Sequence, residues 1–222
     1  MERLMKLLDA IKIKGELKKC GRVEIPDCQR SDLPQFFVDM GYKTGAEIGV
    51  ENGYFSEELC QAGLKVYSID PWVHSPNWRY QRTQDAMEKI YKHAVTRLSK
   101  YENNTIIRKY SMDAVADFPK ESLDFVYIDG NHEFRYVAED LYEWEKKVRI
   151  GGIVAGHDYF TPVEKEICAV APIVHAYVGW FNIETWYVLG SKRRHPPDQV
   201  REYHRSWFWV KEKRGVYATG TQ

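Results

Sequence analysis

Short apolar runs alternate with longer periodic stretches along this chain. The segments GAEIGV (45–50), KVYSID (65–70), NTIIRKY (104–110), LDFVYID (123–129) and GGIVAGHD (151–158) are rich in β-branched and aromatic residues and mostly bounded by Gly, Asn, Asp or Pro, which predicts strands. After the fourth of these, Val137, Leu141, Trp144 and Val148 recur at steps of four, three and four, so one apolar stripe forms on a helical period and needs a sheet to pack on. Residues 81–98 carry Met87, Ile90, Tyr91, Ala94 and Leu98 in the same manner, and 54–62 forms a shorter helix. Strands alternating with helices imply right-handed βαβ units, hence an α/β fold whose mostly parallel sheet has helices on both faces. Near the end, PIVHAYV (172–178), TWYVLGS (185–191) and SWFWVKE (206–212) all read as strands, and two of them complete a seven-stranded sheet.

This pattern divides the chain into an N-terminal helical segment over 1–35, a domain over 36–212 with a loop insertion near 192–205, and a tail over 213–222. The opening MERLMKLLDAIKIKGELKK alternates charged and apolar residues without a long apolar run or a small-residue cleavage site. It is expected as an amphipathic helix, neither a signal peptide nor a membrane span.

Composition narrows the class of partner. A hydrophobic content of 44% over 222 residues suits one sizeable core. The 32 Lys and Arg balance 32 Asp and Glu, so no overall field draws the protein to nucleic acid or to an acidic membrane, and a small or neutral partner is expected. Cys20, Cys28, Cys60 and Cys168 lack CxxC or zinc-type spacing and read as reduced thiols, the usage of a cytoplasmic protein.

Candidate chemistry sits at the strand ends. In AEIGVENGYFS, Gly49 and Gly53 permit a tight turn and close approach of a ligand, with a helix N-terminus just beyond. The dinucleotide fingerprint GxGxxG is absent, and Glu47 inside the strand disfavours a pyrophosphate while suiting an amino-bearing ligand; an ordinary turn with a structural Glu is the alternative. Asp70 ends the next strand about 20 residues on, where an acid takes a ribose hydroxyl pair in such folds.

In a parallel sheet all strand C-termini open on one edge, so Asp129 and Asp158 are expected to converge there. Two carboxylates together repel unless a cation joins them, and Mg²⁺ is the expected ion. His157 is a third ligand or a neighbour, and its nitrogen would suit Mn²⁺ or Fe²⁺ better. His132, three residues beyond Asp129, is the candidate general base, with a helix-cap role as its alternative.

The stretch SLDFVYIDGNHEFRYVAEDLYEWEKKVRIGGIVAGHDY, together with the acid-containing glycine loop and SIDPW, resembles class I S-adenosylmethionine-dependent methyltransferases. It is most similar to the branch with YIDGxH and GHDY signatures that includes macrolide-sugar O-methyltransferases, over roughly residues 36–190. The resemblance implies a Rossmann-like fold in which Gly49 and Gly53 border the methionine part of the cofactor, with Glu47 near them. It further implies that Asp70 holds the ribose, that Ser111, Met112 and Asp113 lie by the adenine, and that His132 takes the proton from an acceptor hydroxyl beside a metal at Asp129, His157 and Asp158. Asp113 is equally readable as a helix N-cap. Glu51 departs from the pattern, standing where many methyltransferases have a glycine.

Trp72 and His74, in the polar and aromatic PWVHSPNWRYQR, are substrate candidates, with packing of the tryptophan as the alternative. Trp180, Phe181, Trp186, Trp207, Phe208 and Trp209 suit the core of the last strands and leave room for a homo-oligomer surface. The expected activity is methyl transfer from S-adenosylmethionine to a hydroxyl of a sugar-containing or other small metabolite. A nucleotide-dependent oxidoreductase and a non-catalytic cofactor-binding module are the rival readings.

Overall fold

The computed structural model describes residues 21–74, 82–160, 168–191 and 204–213. Its strands are Gly21–Ile25 (β1), Thr44–Ile48 (β2), Lys65–Ile69 (β3), Asn104–Ile107 (β4), Leu123–Ile128 (β5), Val148–Tyr159 (β6), Thr185–Leu189 (β7) and Arg205–Val210 (β8). Its helices are Leu33–Asp39 (α1), Tyr54–Gln61 (α2), Gln84–Leu98 (α3), Ser111–Val115 (α4), Phe134–Glu145 (α5) and Val170–Trp180 (α6), with a 3-10 turn at Arg30–Asp32 leading into α1. All eight strands join one sheet in the order β1-β7-β8-β6-β5-β2-β3-β4. Neighbours pair in parallel except β8, which runs antiparallel to both β6 and β7.

The two-residue period of the strands sorts their side chains into two cores. Val126 and Ile128 of β5, Val154 of β6 and Trp207 and Trp209 of β8 face one side, covered by Val137, Leu141 and Trp144 of α5 and by α6. Phe125 and Tyr127, Ile153 and Ala155, and Phe208 face the other, covered by Phe36 and Phe37 of α1 and by Phe55 and Leu59 of α2. The last member of the expected helical stripe, Val148, is instead the first residue of β6. Cys28, Cys60 and Cys168 are buried free thiols, and no helix among the described residues is long and apolar enough to cross a membrane.

Three expectations change. The N-terminal segment over 1–35 is not helical throughout, because Gly21–Ile25 adds an eighth strand that pairs in parallel with β7. Its alternation of Arg22 and Glu24 with Val23 and Ile25 is the two-residue period of a strand, and residues 1–20 lie outside the described ones. PIVHAYV belongs to α6, where Val170, Ile173, Val174, Tyr177 and Val178 are buried at helical spacing, and packing of that face overrides the β preference of Ile and Val. β7 and β8 are the two strands that complete the sheet. Of the expected insertion, 192–203 lies outside the described residues and Arg205 already belongs to β8; of the tail, 214–222 lies outside.

Candidate active site

β2 runs into a loop whose backbone is left-handed at Gly49 (φ 90°), Glu51 (φ 49°) and Gly53 (φ 79°). A Cβ at Gly49 would stand 2.2 Å from the Asp129 carbonyl oxygen, so only glycine lets this loop cross the end of β5. Glu51 adopts the left-handed conformation that glycine takes without strain, at a cost of about 1–2 kcal/mol. Its own contacts offset that cost. The Glu51 N–H donates to Asp70 Oδ2 at 3.0 Å, its carbonyl accepts the Trp72 indole N–H at 2.9 Å, and its carboxylate pairs with Arg82 at 2.5 Å.

Asp70 closes the loop against the end of β3. Its Oδ2 also accepts the Val50 N–H at 3.0 Å, and its Oδ1 accepts the Trp72 N–H at 2.7 Å. Burial pushes its carboxyl up in spite of these three donors. Two carboxylate oxygens offer about four acceptor positions, so beside the three backbone donors one remains for a ligand hydroxyl.

Glu47 does not present a charge to a ligand. β2 turns it towards α2, where it is 2% exposed and bonded to the Ser56 hydroxyl, which in turn lies 2.6 Å from Ser68 Oγ. Burial pushes its carboxyl up to about 8, with Ser56 working against the rise and Asp129 adding to it, so it is mostly neutral at pH 7. Trp72 likewise changes role. With φ 46° its side chain turns inward, fully buried beside Val50, Ala94 and Leu98, and it anchors the loop rather than facing a substrate. His74 is exposed, its backbone N–H bonded to Gln84 and its ring to the Arg82 carbonyl.

The expected adenine residues open α4. The Ser111 hydroxyl bonds to Asp140 and accepts the Trp144 indole N–H at 2.8 Å, which ties this segment to α5. Met112 packs against the larger core, and Asp113 lies exposed in the first turn of α4, whose N-cap is Tyr110 and not Asp113.

The ends of β5 and β6 bring four side chains together. On a regular strand His157 and Asp158 would point to opposite faces. Here the β6–β8 register shifts between Gly156 and Tyr159, and Asp158 is left-handed at φ 55°, so both side chains meet Asp129. Asp129 Oδ1, His132 Nε2, Asp158 Oδ2 and His157 Nδ1 form a closed ring with successive separations of 3.8, 2.9, 3.4 and 3.7 Å. Oxygen and nitrogen alternate around it.

Ligand atoms bonded at about 2.1 Å to an octahedral ion stand roughly 3 Å from their neighbours. The ring is close to that size, and the donors of Asp129, His132 and Asp158 all lie within 4.8 Å of one another, so the donor set fits a divalent ion. An imidazole ligand beside the two carboxylates suits Mn²⁺ or Fe²⁺ better than Mg²⁺.

Two further side chains also reach these carboxylates. Arg30 NH1 lies 3.0 Å from Asp129 Oδ2, and His204 Nδ1 lies 2.5 Å from Asp158 Oδ1. His204 also stacks over His157 with ring centroids 6.4 Å apart. Burial opposes ionisation of Asp158, but His132 and His157 hold its carboxyl far below the usual range. Burial likewise disfavours a charged His132, but Asp129 and Asp158 outweigh it and raise the imidazole to about 10. His132 is thus a protonated imidazole in this arrangement, not one near its ordinary value as the sequence suggests.

Arg30 and His204 are the residues that sequence reasoning missed. Recognising SWFWV as antiparallel would have found His204, because such a strand begins on the edge where parallel strands end. No local signal marks Arg30.

A mostly parallel sheet with an acid-bearing glycine loop after β2 and acids at the ends of β3 and β5 defines the Rossmann-like methyltransferase fold. Residues 46–159 match the methyltransferase domain family, and the chain belongs to it. A curated relative, the uncharacterized protein y4gI of Sinorhizobium fredii, is 24% identical over 119 residues, which make up 50% of this chain and 12% of that protein.

Among solved structures, an O-methyltransferase from Bacillus cereus in complex with S-adenosylhomocysteine aligns with a TM-score of 0.57 at 15% identity, covering 95% of this chain and 91% of that one. An rRNA methylase from Streptococcus thermophilus aligns with a TM-score of 0.56 at 15% identity, over 84% and 98%. A tRNA (m1A58) methyltransferase from Aquifex aeolicus aligns with a TM-score of 0.53 at 16% identity, over 81% and 68%. These neighbours act on different acceptors, so the likeness is one of fold.

Proposed function

We propose that the protein transfers a methyl group from S-adenosylmethionine to a hydroxyl of a small metabolite, with a sugar or other vicinal diol as the favoured acceptor and a divalent cation assisting. The observation that carries this reading is the ring of Asp129, His132, Asp158 and His157 beside the glycine loop. A module that only binds the cofactor has no use for such a ring. The Bacillus cereus neighbour's complex with S-adenosylhomocysteine supports the choice of cofactor.

The cofactor would lie along the edge from Asp70, which meets its ribose, to Asp129, with its methionine part over Gly49 and Gly53 and its adenine towards the start of α4. Asp129, His157 and Asp158 would hold the cation, which supplies Lewis acidity that lowers the pKa of a bound hydroxyl. With both carboxylates engaged by the cation, the His132 imidazole would fall back towards its ordinary value, give up its proton to solvent and then take the hydroxyl proton at Nε2. The acceptor oxygen would then be placed for in-line attack on the sulfonium methyl, the new C–O bond replacing the methyl C–S bond with S-adenosylhomocysteine as the leaving group, and fixed placement of the two reactants would provide much of the acceleration.

The test is transfer of label from methyl-labelled S-adenosylmethionine to a panel of sugars, glycosides and catechols, with Mn²⁺, with Mg²⁺ and with chelator. Metal-dependent labelling of a hydroxyl supports the reading. Labelling of nitrogen or carbon acceptors only, or none under any condition, contradicts it.

A further inference from the structure

Arg30 lies ahead of the matched methyltransferase domain, yet its side chain enters the site. It sits in the 3-10 turn between β1 and α1, a turn held by the Gln29 N–H donating to Asp32 Oδ2 at 2.8 Å and by the Asp32 N–H donating to the Gln29 carbonyl at 3.0 Å. From there the guanidinium reaches Asp129 Oδ2 at 3.0 Å and lies 5.2 Å from the centre of the Phe55 ring. Phe55 is in the first turn of α2, two residues after Gly53, and Gly49 runs against the Asp129 carbonyl. Arg30 therefore stands where the glycine loop, α2 and the end of β5 meet.

The charges around it are mixed in a particular way. Asp129 and Glu47 both act on the guanidinium, and Glu47 is mostly neutral at pH 7 because burial raises its carboxyl to about 8. Glu58 acts on the guanidinium from further off, Asp129 is its ion-pair partner, and the other Asp129 oxygen faces His132 and His157 at 3.8 and 3.7 Å. One cation and one anion thus lie side by side at the mouth of a glycine loop. That is the complement of a zwitterionic α-amino acid, which carries a carboxylate and an ammonium on one carbon. A nucleoside alone has no need of such a pair, since its hydroxyls are served by a carboxylate such as Asp70. A guanidinium offers five N–H donors in a planar fork, so it can hold a second carboxylate without releasing the first.

We propose that Arg30, while it stays paired with Asp129, binds the α-carboxylate of the cofactor's amino-acid tail. The segment ahead of the matched domain is then part of the cofactor site. This rests on the reading of S-adenosylmethionine as the cofactor.

The test is calorimetric titration with two probes, S-adenosylhomocysteine and its decarboxylated analogue S-adenosyl-3-thiopropylamine, which keeps the amine and lacks the carboxylate. A charged hydrogen-bond pair predicts that the native protein prefers S-adenosylhomocysteine by about 10- to 100-fold. Arg30→Met should bring the two affinities within about 3-fold, mainly by weakening S-adenosylhomocysteine, whereas Arg30→Lys should keep part of the preference because it keeps the charge without the fork.

An equal loss for both probes in Arg30→Met would overturn the proposal, leaving Arg30 as a support for Asp129, and so would an unchanged preference. If Arg30→Met does not fold, Arg30→Lys makes the same comparison with a smaller fall in preference, and no fall overturns the proposal. Native protein that binds neither probe would overturn the cofactor reading itself, a result distinct from all of these.

Discussion

Two pairs of acids stand on one sheet edge in opposite electrostatic settings. On the β2–β3 side Glu47 and Asp70 meet neutral donors, the Ser56 hydroxyl for one and the backbone N–H groups of Val50, Glu51 and Trp72 for the other. Burial prevails there, and both carboxyls are pushed up. On the β5–β6 side Asp129 and Asp158 meet a guanidinium and imidazoles, and Asp158 is held far below the usual range. Carboxyl groups are thus used once to tie neutral donors of a helix and a loop together, and once beside a guanidinium and imidazoles. The lesson is that an acid at a strand end has no role until its donors are known.

Removing the His132 imidazole should break the β5–β6 side without disturbing the other. His132→Ala is expected to lower turnover by about 10²- to 10⁴-fold, the range for a positioned acid or base. Steady-state rates with an active acceptor check this, and an unchanged rate removes His132 from that role. On the β2–β3 side Trp72→Ala should cost about 3–5 kcal/mol, the loss typical of a fully buried aromatic. Denaturant unfolding measures it, and a cost near zero would mean that Trp72 does not anchor the loop.

The raised carboxyl of Glu47 predicts a pH dependence of known sign. Its folded value of about 8 lies above an unfolded value of about 4.3, so its contribution to stability is fully present below about 4 and is lost as the pH rises through 8. Glu47→Gln should flatten the fall in stability between pH 5 and pH 8 by on the order of 2–4 kcal/mol. Identical pH profiles for the two proteins would show that burial does not govern this acid. The smallest effect is at Asp70, where Asn keeps the shape and removes the charge; S-adenosylhomocysteine should then bind about 10-fold more weakly.

The alternation of strands and helices was legible because β2, β3 and β5 are short apolar runs that stop at Gly49, Asp70 and Asp129, and a strand end is where such a run stops. Asp129, His132, His157 and Asp158 could be placed on one edge for that reason alone. What sequence could not supply were features set by distant packing. α6 reads as a strand because Ile and Val are β-branched, and only the apolar face it buries makes it a helix. Trp72 reads as a ligand contact until its left-handed backbone turns it under the loop. Arg30 and His204 reach the acids from segments whose neighbours are fixed by the placing of β1 beside β7 and of β8 beside β6. The bulge that lets His157 join Asp158 is likewise a property of the β6–β8 register.

The account stands or falls on the division of the edge into a cofactor side and a chemical side. Its most direct test is the affinity for S-adenosylhomocysteine, measured by calorimetry on the native protein, His132→Ala and Asp70→Asn. The account predicts binding to the native protein, a change within about 3-fold for His132→Ala and a loss of about 10-fold for Asp70→Asn. Absence of binding to the native protein, or a larger loss in His132→Ala than in Asp70→Asn, would contradict it.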